Sequence, residues 1–201
     1  LMIEKFSALS INKIDYQITN LSFPSLTVDT NNQAFKFKLF NINPDLPTIG
    51  ICPGAEFGPA KKWPAEYYAE IALNYIEKGW NVICFGSEND KQTGAEICKE
   101  NDLSTSENFH NIIGRTDLLD AIDLLSFCKI VVSNDSGLMH IAAAVGTPLV
   151  ALYGPSSPEY TPPLINQKVV LRKMDGYDKT RSGDLESGYH SSLLSLSLIH
   201  I

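Results

Sequence analysis

"KIVVSNDSGLMHIAAAVGTPLVALYG", Lys129 to Gly154, decides the fold. Its opening run, Lys129-Ile130-Val131-Val132, reads as a buried strand. Leu138 to Val145 has the apolar spacing of a helix, and Pro148-Leu149-Val150-Ala151-Leu152-Tyr153 reads as a second strand. Strand, helix, strand is a βαβ unit. Apolar runs this short suit strands covered on both faces of a parallel sheet. A polar knot, Ser133-Asn134-Asp135-Ser136-Gly137, interrupts the pattern, and His140 follows it. The knot is either a capped turn or a ligand cradle. If Asp135 caps the helix, the N–H groups of Ser136, Gly137 and Leu138 are its unsatisfied first donors, at the positive end of the helix dipole. Gly137 would let a ligand come close to the backbone. Ser136 and His140, four residues apart, share a helix face.

The same alternation extends upstream. Thr48-Ile49-Gly50-Ile51-Cys52 is a short strand, followed by a loop to Pro64. Pro64 suits a first helical turn, Tyr67, Tyr68, Ile71, Ala72, Tyr75 and Ile76 recur at helical spacing, and Gly79 ends the helix. Asn81 to Phe85 is the next strand, and a helix is expected from about Lys91 to Glu100. Asn111-Ile112-Ile113 reads as a strand or extended piece. A helix through Leu118, Leu119, Ile122, Leu125 and Phe127 follows, with Asp117 or, preferably, Thr116 as its cap. Val169-Val170-Leu171 is a final strand. Upstream, Met2 to Leu9 could form a short helix and Asp29 to Gln33 is polar and turn-like. The expectation is a doubly wound parallel α/β domain over residues 34–194, preceded by a linker-like stretch, 1–33, and followed by a truncated or non-native tail, 195–201. The chain begins with Leu rather than Met, which is expected of a fragment.

The 201 residues are 44% apolar, enough for a substantial core, and the formal charge of −7 argues against a nucleic-acid surface, which needs a basic patch. The four cysteines, Cys52, Cys84, Cys98 and Cys128, lack CxxC spacing, so neither a zinc site nor any other metal centre is expected. Three of them lie in or beside apolar runs, as buried thiols of a reducing, cytoplasmic compartment do. No run approaches a membrane span, and Glu4 and Lys5 break any signal-peptide core.

In doubly wound sheets the ligand lies beyond the carboxyl ends of the strands. That rule gathers four loops on one rim: 53–63, 86–90, 114–116 and 133–137. Pro53-Gly54-Ala55-Glu56-Phe57-Gly58, with Lys61 after it, fits a diphosphate cradle, although it is neither a P-loop nor GxGxxG; the plain alternative is a long loop with solvated lysines. Glu88 could hold the two hydroxyls of a ribose or could serve as a first-turn acid. His110, His190 and His200 have no metal-ligand spacing and read as structural or surface residues. A hydrolase elbow, Gly-x-Ser-x-Gly, is absent.

Three stretches together resemble the lipopolysaccharide heptosyltransferases, glycosyltransferase family nine, and within it the type II members: Cys52 to Pro64, Asn134 to His140, and Leu152 to Pro158 with Thr161-Pro162-Pro163. The resemblance runs on through Gly176-Tyr177 and Gly188-Tyr189-His190. It implies a GT-B enzyme whose Rossmann-like C-terminal half is this chain, with residues 1–33 the end of an N-terminal acceptor domain and the connection. It implies metal-independent, inverting transfer of L-glycero-D-manno-heptose from ADP-heptose to the inner core on lipid A, at the cytoplasmic face of the inner membrane, without a cofactor. By the resemblance Lys61 contacts the donor phosphate, Glu88 the ribose, Asp135 the heptose, and Ser136, Gly137 and His140 the diphosphate. Gly54, Ala55 and Glu56 line the cleft. Asp135 and Lys61 would be this half's catalytic residues, the general base being an aspartate of the missing N-terminal domain. Other readings remain: a type I relative, or a nucleotide-sugar-binding module that does not catalyse.

Overall fold

A computed structural model of the chain describes residues 22–55 and 61–172. Expectations for the 2–9 helix, Glu56, His190, His200 and the 195–201 tail fall outside these residues.

The described residues build one six-stranded sheet. Helix α1 spans Thr30–Phe40. Then come β1 (Thr48–Cys52), α2 (Ala65–Glu77), β2 (Asn81–Cys84), α3 (Lys91–Lys99), β3 (Phe109–Asn111), α4 (Leu118–Phe127), β4 (Ile130–Asn134), α5 (Gly137–Ala144), β5 (Leu149–Tyr153) and β6 (Lys168–Arg172). Short 3-10 turns occupy Glu88–Asp90 and Glu100–Thr105. The strands lie in the order β3-β2-β1-β4-β5-β6, and every neighbouring pair is parallel. This is the doubly wound order in which the chain reverses direction across the sheet between β1 and β4.

Strand alternation sends side chains to two cores. Ile49, Ile51, Val82, Cys84, Val132 and Val150 pack under Tyr68, Ala69, Ala72 and Ile97 of α2 and α3. Cys52, Ile83, Val131, Leu149 and Ala151 pack under Phe37, Leu124, Leu125, Met139 and Ala142 of α1, α4 and α5. Covering both faces is why the central strands read as unbroken apolar runs; each such valine or isoleucine contributes about 1.5–3 kcal/mol by leaving water. Cys52, Cys84 and Cys128 are free and buried, and burial raises the pKa of each thiol.

Strand β3 is Phe109–Asn111, and the ladder to β2 runs one bond further, from the Ile112 N–H to the Cys84 carbonyl at 3.1 Å, so the extended reading of Asn111 to Ile113 is kept with its strand shifted toward Phe109. Two local expectations need correction. Asp117, not Thr116, caps α4: its carboxylate accepts the Asp120 N–H at 2.8 Å, and Asp120 returns a bond to the Asp117 N–H at 3.2 Å. Asp29 to Gln33, read as a turn, is the N-cap and first turn of α1, with the Asp29 carboxylate accepting from the N–H groups of Asn31 and Asn32.

Candidate functional site

At the reversal point the carboxyl ends of β1 and β4 lie side by side, Cys52 in register with Ser133. Each then departs into a loop. Asn134, fully buried, holds the two loops together. Its Oδ1 accepts from the Tyr68 hydroxyl at 2.9 Å and the Trp63 N–H at 3.3 Å, and its Nδ2 donates to the Pro53 carbonyl at 2.8 Å. One amide therefore pins both ends of the 53–63 loop to β4, which requires all three of these contacts to be made because the side chain is sealed from water.

Beyond this clamp the two adjacent lysines part. Lys61 Nζ lies 2.8 Å from Asp135 Oδ2. Lys62 reaches the other way, 3.4 Å from Asp90 Oδ1 and 3.3 Å from Thr93 Oγ1. The Asp135 side chain is 6% exposed and that of Lys61 23%, so the pair is largely sealed, the lysine less completely than the aspartate. Thr161 donates to the remaining Asp135 oxygen at 3.3 Å, and the Thr161 carbonyl accepts from the buried Tyr153 hydroxyl at 2.5 Å. Thus the loop after β5 also reaches the site.

Asp135 is not the cap of α5. That position belongs to Ser136, whose side chain makes no bond to the first-turn N–H groups. Asp135 instead extends the strand, its N–H bonded to the Leu152 carbonyl at 3.1 Å, and turns its carboxylate to Lys61. The start of α5 therefore keeps first-turn donors that its cap side chain leaves unsatisfied, and the space over Gly137 is open.

A cavity of about 290 Å³ adjoins this point. Gly54 and Ala55 form its β1 wall, Gly86, Ser87 and Asp90 its β2 wall, Asp117 and Leu118 the α4 wall, and Ser136 and Gly137 the α5 wall. Asp90 sets the cavity's shape. Its Oδ2 accepts from both the N–H and the hydroxyl of Ser87, at 3.0 and 2.8 Å. A Cβ on Gly54 would stand 2.5 Å from that same oxygen, so glycine is needed there by contact alone.

Of the residues expected at the site, Gly54, Ala55, Ser136 and Gly137 line the cavity, and Lys61 and Asp135 are joined to each other. Glu88 and His140 are not brought to either centre by a direct contact. Glu88 is exposed and pairs with Lys91 at 2.6 Å, the first-turn acid of its plainer reading. His140 stands exposed on α5; local desolvation lowers its pKa, the Asp135 charge opposes that, and the Lys61 charge adds to it. Sequence reasoning missed Asn134, Asp90, Lys62 and Thr161. Asn134 and Thr161 sat inside stretches already singled out, and the strand-end rule applied to β5 would have found Thr161. Among the described residues no group of three or more His, Cys, Asp or Glu gathers as metal ligands.

A parallel sheet of this order, with a cavity and unsatisfied helix donors at its reversal point, defines a doubly wound, Rossmann-like α/β domain as its class. The comparisons narrow the class. The family model described as glycosyltransferase family 9 (heptosyltransferase) matches residues 1–190, and the chain belongs to that family. It is 43% identical over 202 residues to lipopolysaccharide heptosyltransferase 2 of Escherichia coli K12, covering 98% of this chain and 58% of that protein. It is 48% identical over 179 residues to lipooligosaccharide heptosyltransferase 2 of Haemophilus influenzae, covering 87% of this chain and 52% of the relative. The solved structure of E. coli ADP-heptose lps heptosyltransferase II superposes with a TM-score of 0.85 at 40% identity, over 98% of this chain and 58% of that one. The chain thus spans little more than half the length of these relatives. No helix among the described residues is long and apolar enough to cross a membrane.

Proposed function

We propose that this chain is the donor-binding half of a heptosyltransferase that moves heptose from ADP-heptose to the inner core of lipopolysaccharide with inversion. The observation that carries this reading is the meeting, at the β1/β4 reversal, of a nucleoside-sized cavity, unsatisfied donors at the start of α5 and the partly exposed Lys61 side chain. The adenosine occupies the cavity. The diphosphate lies over Ser136 and Gly137, where backbone N–H groups and the helix dipole favour negative charge. Lys61 meets the phosphate, and Asp135 holds both Lys61 and the heptose. His140 and Glu88 move to the phosphate and the ribose on binding.

In the transfer step an acceptor hydroxyl oxygen bonds to the anomeric carbon from the face opposite the leaving group. The bond from that carbon to the β-phosphate oxygen breaks, and its electron pair leaves with ADP. The hydroxyl proton passes to a base supplied by the part of the protein preceding this chain. Lys61 and the α5 donors stabilise the charge on the departing ADP, the kind of preorganised interaction that gains strength as charge develops. We place the reaction without metal or cofactor in the cytoplasm, at the inner membrane surface where its lipid A-linked acceptor resides. Titration of the full-length protein with ADP, and a transfer assay with ADP-heptose and heptose-bearing acceptor, test the reading. Binding of ADP together with transfer supports it; transfer at undiminished rate by residues 1–201 alone would overturn the division of labour.

A further inference from the structure

The α4 wall of the cavity is held from outside the site. Asp120, three residues beyond the α4 cap, is buried, and its carboxylate serves three partners at once. Oδ2 accepts from the Asp117 N–H at 3.2 Å and from the Lys36 ammonium at 2.6 Å; Oδ1 accepts from Asn32 Nδ2 at 3.0 Å. Lys36 and Asn32 belong to α1, and the Lys36 side chain is itself only 15% exposed. Asn32 also donates to Asp123 Oδ2 at 2.8 Å, and Gln33 donates to the Asp123 carbonyl at 2.7 Å. The interface between α1 and α4 thus adds a set of short polar bonds to the packing of Phe37 against Phe127, whose ring centroids are 4.5 Å apart. Asp117 and Leu118, the residues at the far end of the chain of bonds, line the cavity.

We propose that Lys36 is a positioning residue for the nucleotide cavity, acting through Asp120 on the Asp117–Leu118 turn. The inference rests on the reading of the cavity as a nucleotide site. One carboxylate oxygen joins the ammonium to the turn. With the ammonium gone, a buried carboxylate loses its cation and must either draw in water or turn from Asp117 toward it. In both cases the cap bond that fixes the cavity wall weakens, although Lys36 lines no part of the cavity. A capping interaction is worth about 1 kcal/mol, and its loss, transmitted in full to the wall, corresponds to a drop in nucleotide affinity of roughly fivefold.

The test is isothermal titration of the full-length protein with ADP, for the parent, Lys36→Met, Asp120→Asn and the double variant, with KM and kcat measured in the transfer assay. The expected result is about fivefold weaker ADP binding in each single variant, a matching rise in donor KM with kcat within twofold, and a double variant no weaker than either single one. A role confined to global stability would lower the melting temperature and leave ADP affinity within twofold of the parent, and that result overturns the proposal. Additive losses in the double variant overturn the relay through Asp120. Should Lys36→Met not fold, Asp120→Asn, which keeps the side-chain shape, decides by the same affinity threshold. Failure of the parent itself to bind ADP removes the nucleotide reading and this inference with it, whereas a binding parent with unchanged variants removes this inference alone.

Discussion

The two rims of the sheet are built by opposite rules. At the amino ends of β2 and β5 the connections from the preceding helices are tight. Helix α2 closes with Gly79 at φ 77°, its N–H bonded to the Ile76 carbonyl and that of Trp80 to the Tyr75 carbonyl. Helix α5 closes in the same way with Gly146 at φ 83°, through bonds from Gly146 to Ala143 and from Thr147 to Ala142. Both are Schellman turns, in which backbone satisfies backbone and no side chain is needed. At the carboxyl ends the loops are long and the bonds run through buried side chains: Asn134, Asp90, Asp135 and Thr161. The amino rim has buried side-chain bonds too, from Asn81 to the Asn43 carbonyl at 2.7 Å and from Thr147 to the Leu125 carbonyl at 2.8 Å, but these tie one connection to another. At the carboxyl rim the side-chain bonds surround a cavity.

Substitutions should separate the rims. The largest effect is expected from Lys61→Ala in the full-length protein: a loss of about 100-fold in kcat/KM, the scale seen when one charge-stabilising donor is removed. Steady-state kinetics with ADP-heptose checks it, and a loss under threefold breaks the assignment. Next, Gly54→Ala forces a Cβ against the pinned Asp90 carboxylate. Overpacking of this kind costs about 1–3 kcal/mol, and ADP affinity should fall with it, roughly tenfold. Gly79→Ala, at the other rim, should cost about 1 kcal/mol in denaturant unfolding for placing a side chain at positive φ, yet leave ADP affinity unchanged. Equal affinity losses at Gly54 and Gly79 would erase the distinction drawn between the rims.

Smaller effects should follow pH. His110 is buried on β3, its Nε2 without a partner, and burial lowers its pKa despite a hydrogen bond to the Phe40 backbone. The unfolded chain takes up a proton near pH 6.5 that the folded chain refuses. Stability attributable to His110 is therefore full above that pH and is lost as pH falls toward its lowered folded value. The decline in melting temperature between pH 7.5 and 5.5 should be shallower in His110→Asn than in the parent; parallel profiles would contradict this. At the site rim the sign is reversed. His140 is kept neutral without ligand, and an anion beside it would raise its pKa, so ADP binding should tighten modestly on acidification and His140→Gln should flatten the trend.

The central sheet was legible because burial on both faces leaves an unmistakable pattern: β1, β2 and β5 stand within a residue of their expected limits, and β4 runs two residues past its own, into the polar knot at Ser133 and Asn134. Apolarity placed β3 two residues late, because the strand begins at Phe109 and only Ile112 of the two isoleucines still bonds to β2. Helix α1 escaped for the converse reason. It buries only Phe37 and Phe40, and the rest of its contact with α4 runs through Asn32, Gln33 and Lys36 against Asp120 and Asp123, which leaves little hydrophobic period to read. The site was legible as loops rather than as contacts. The strand-end rule brought Gly54, Ala55, Ser136 and Gly137 to one cavity. The partnership of Lys61 with Asp135, 74 residues away, and the clamp made by Asn134 depend on register across β1 and β4, which one sequence does not display.

The central claim is that the β1/β4 reversal is where a nucleoside diphosphate binds. Hydrogen–deuterium exchange of the full-length protein with and without saturating ADP tests it most directly. The account predicts slowed exchange at residues 53–55, 85–90, 116–121 and 135–140, with no change around Gly79 and Gly146. Unchanged exchange in those four segments at saturating ADP, or protection at the opposite rim, would contradict it.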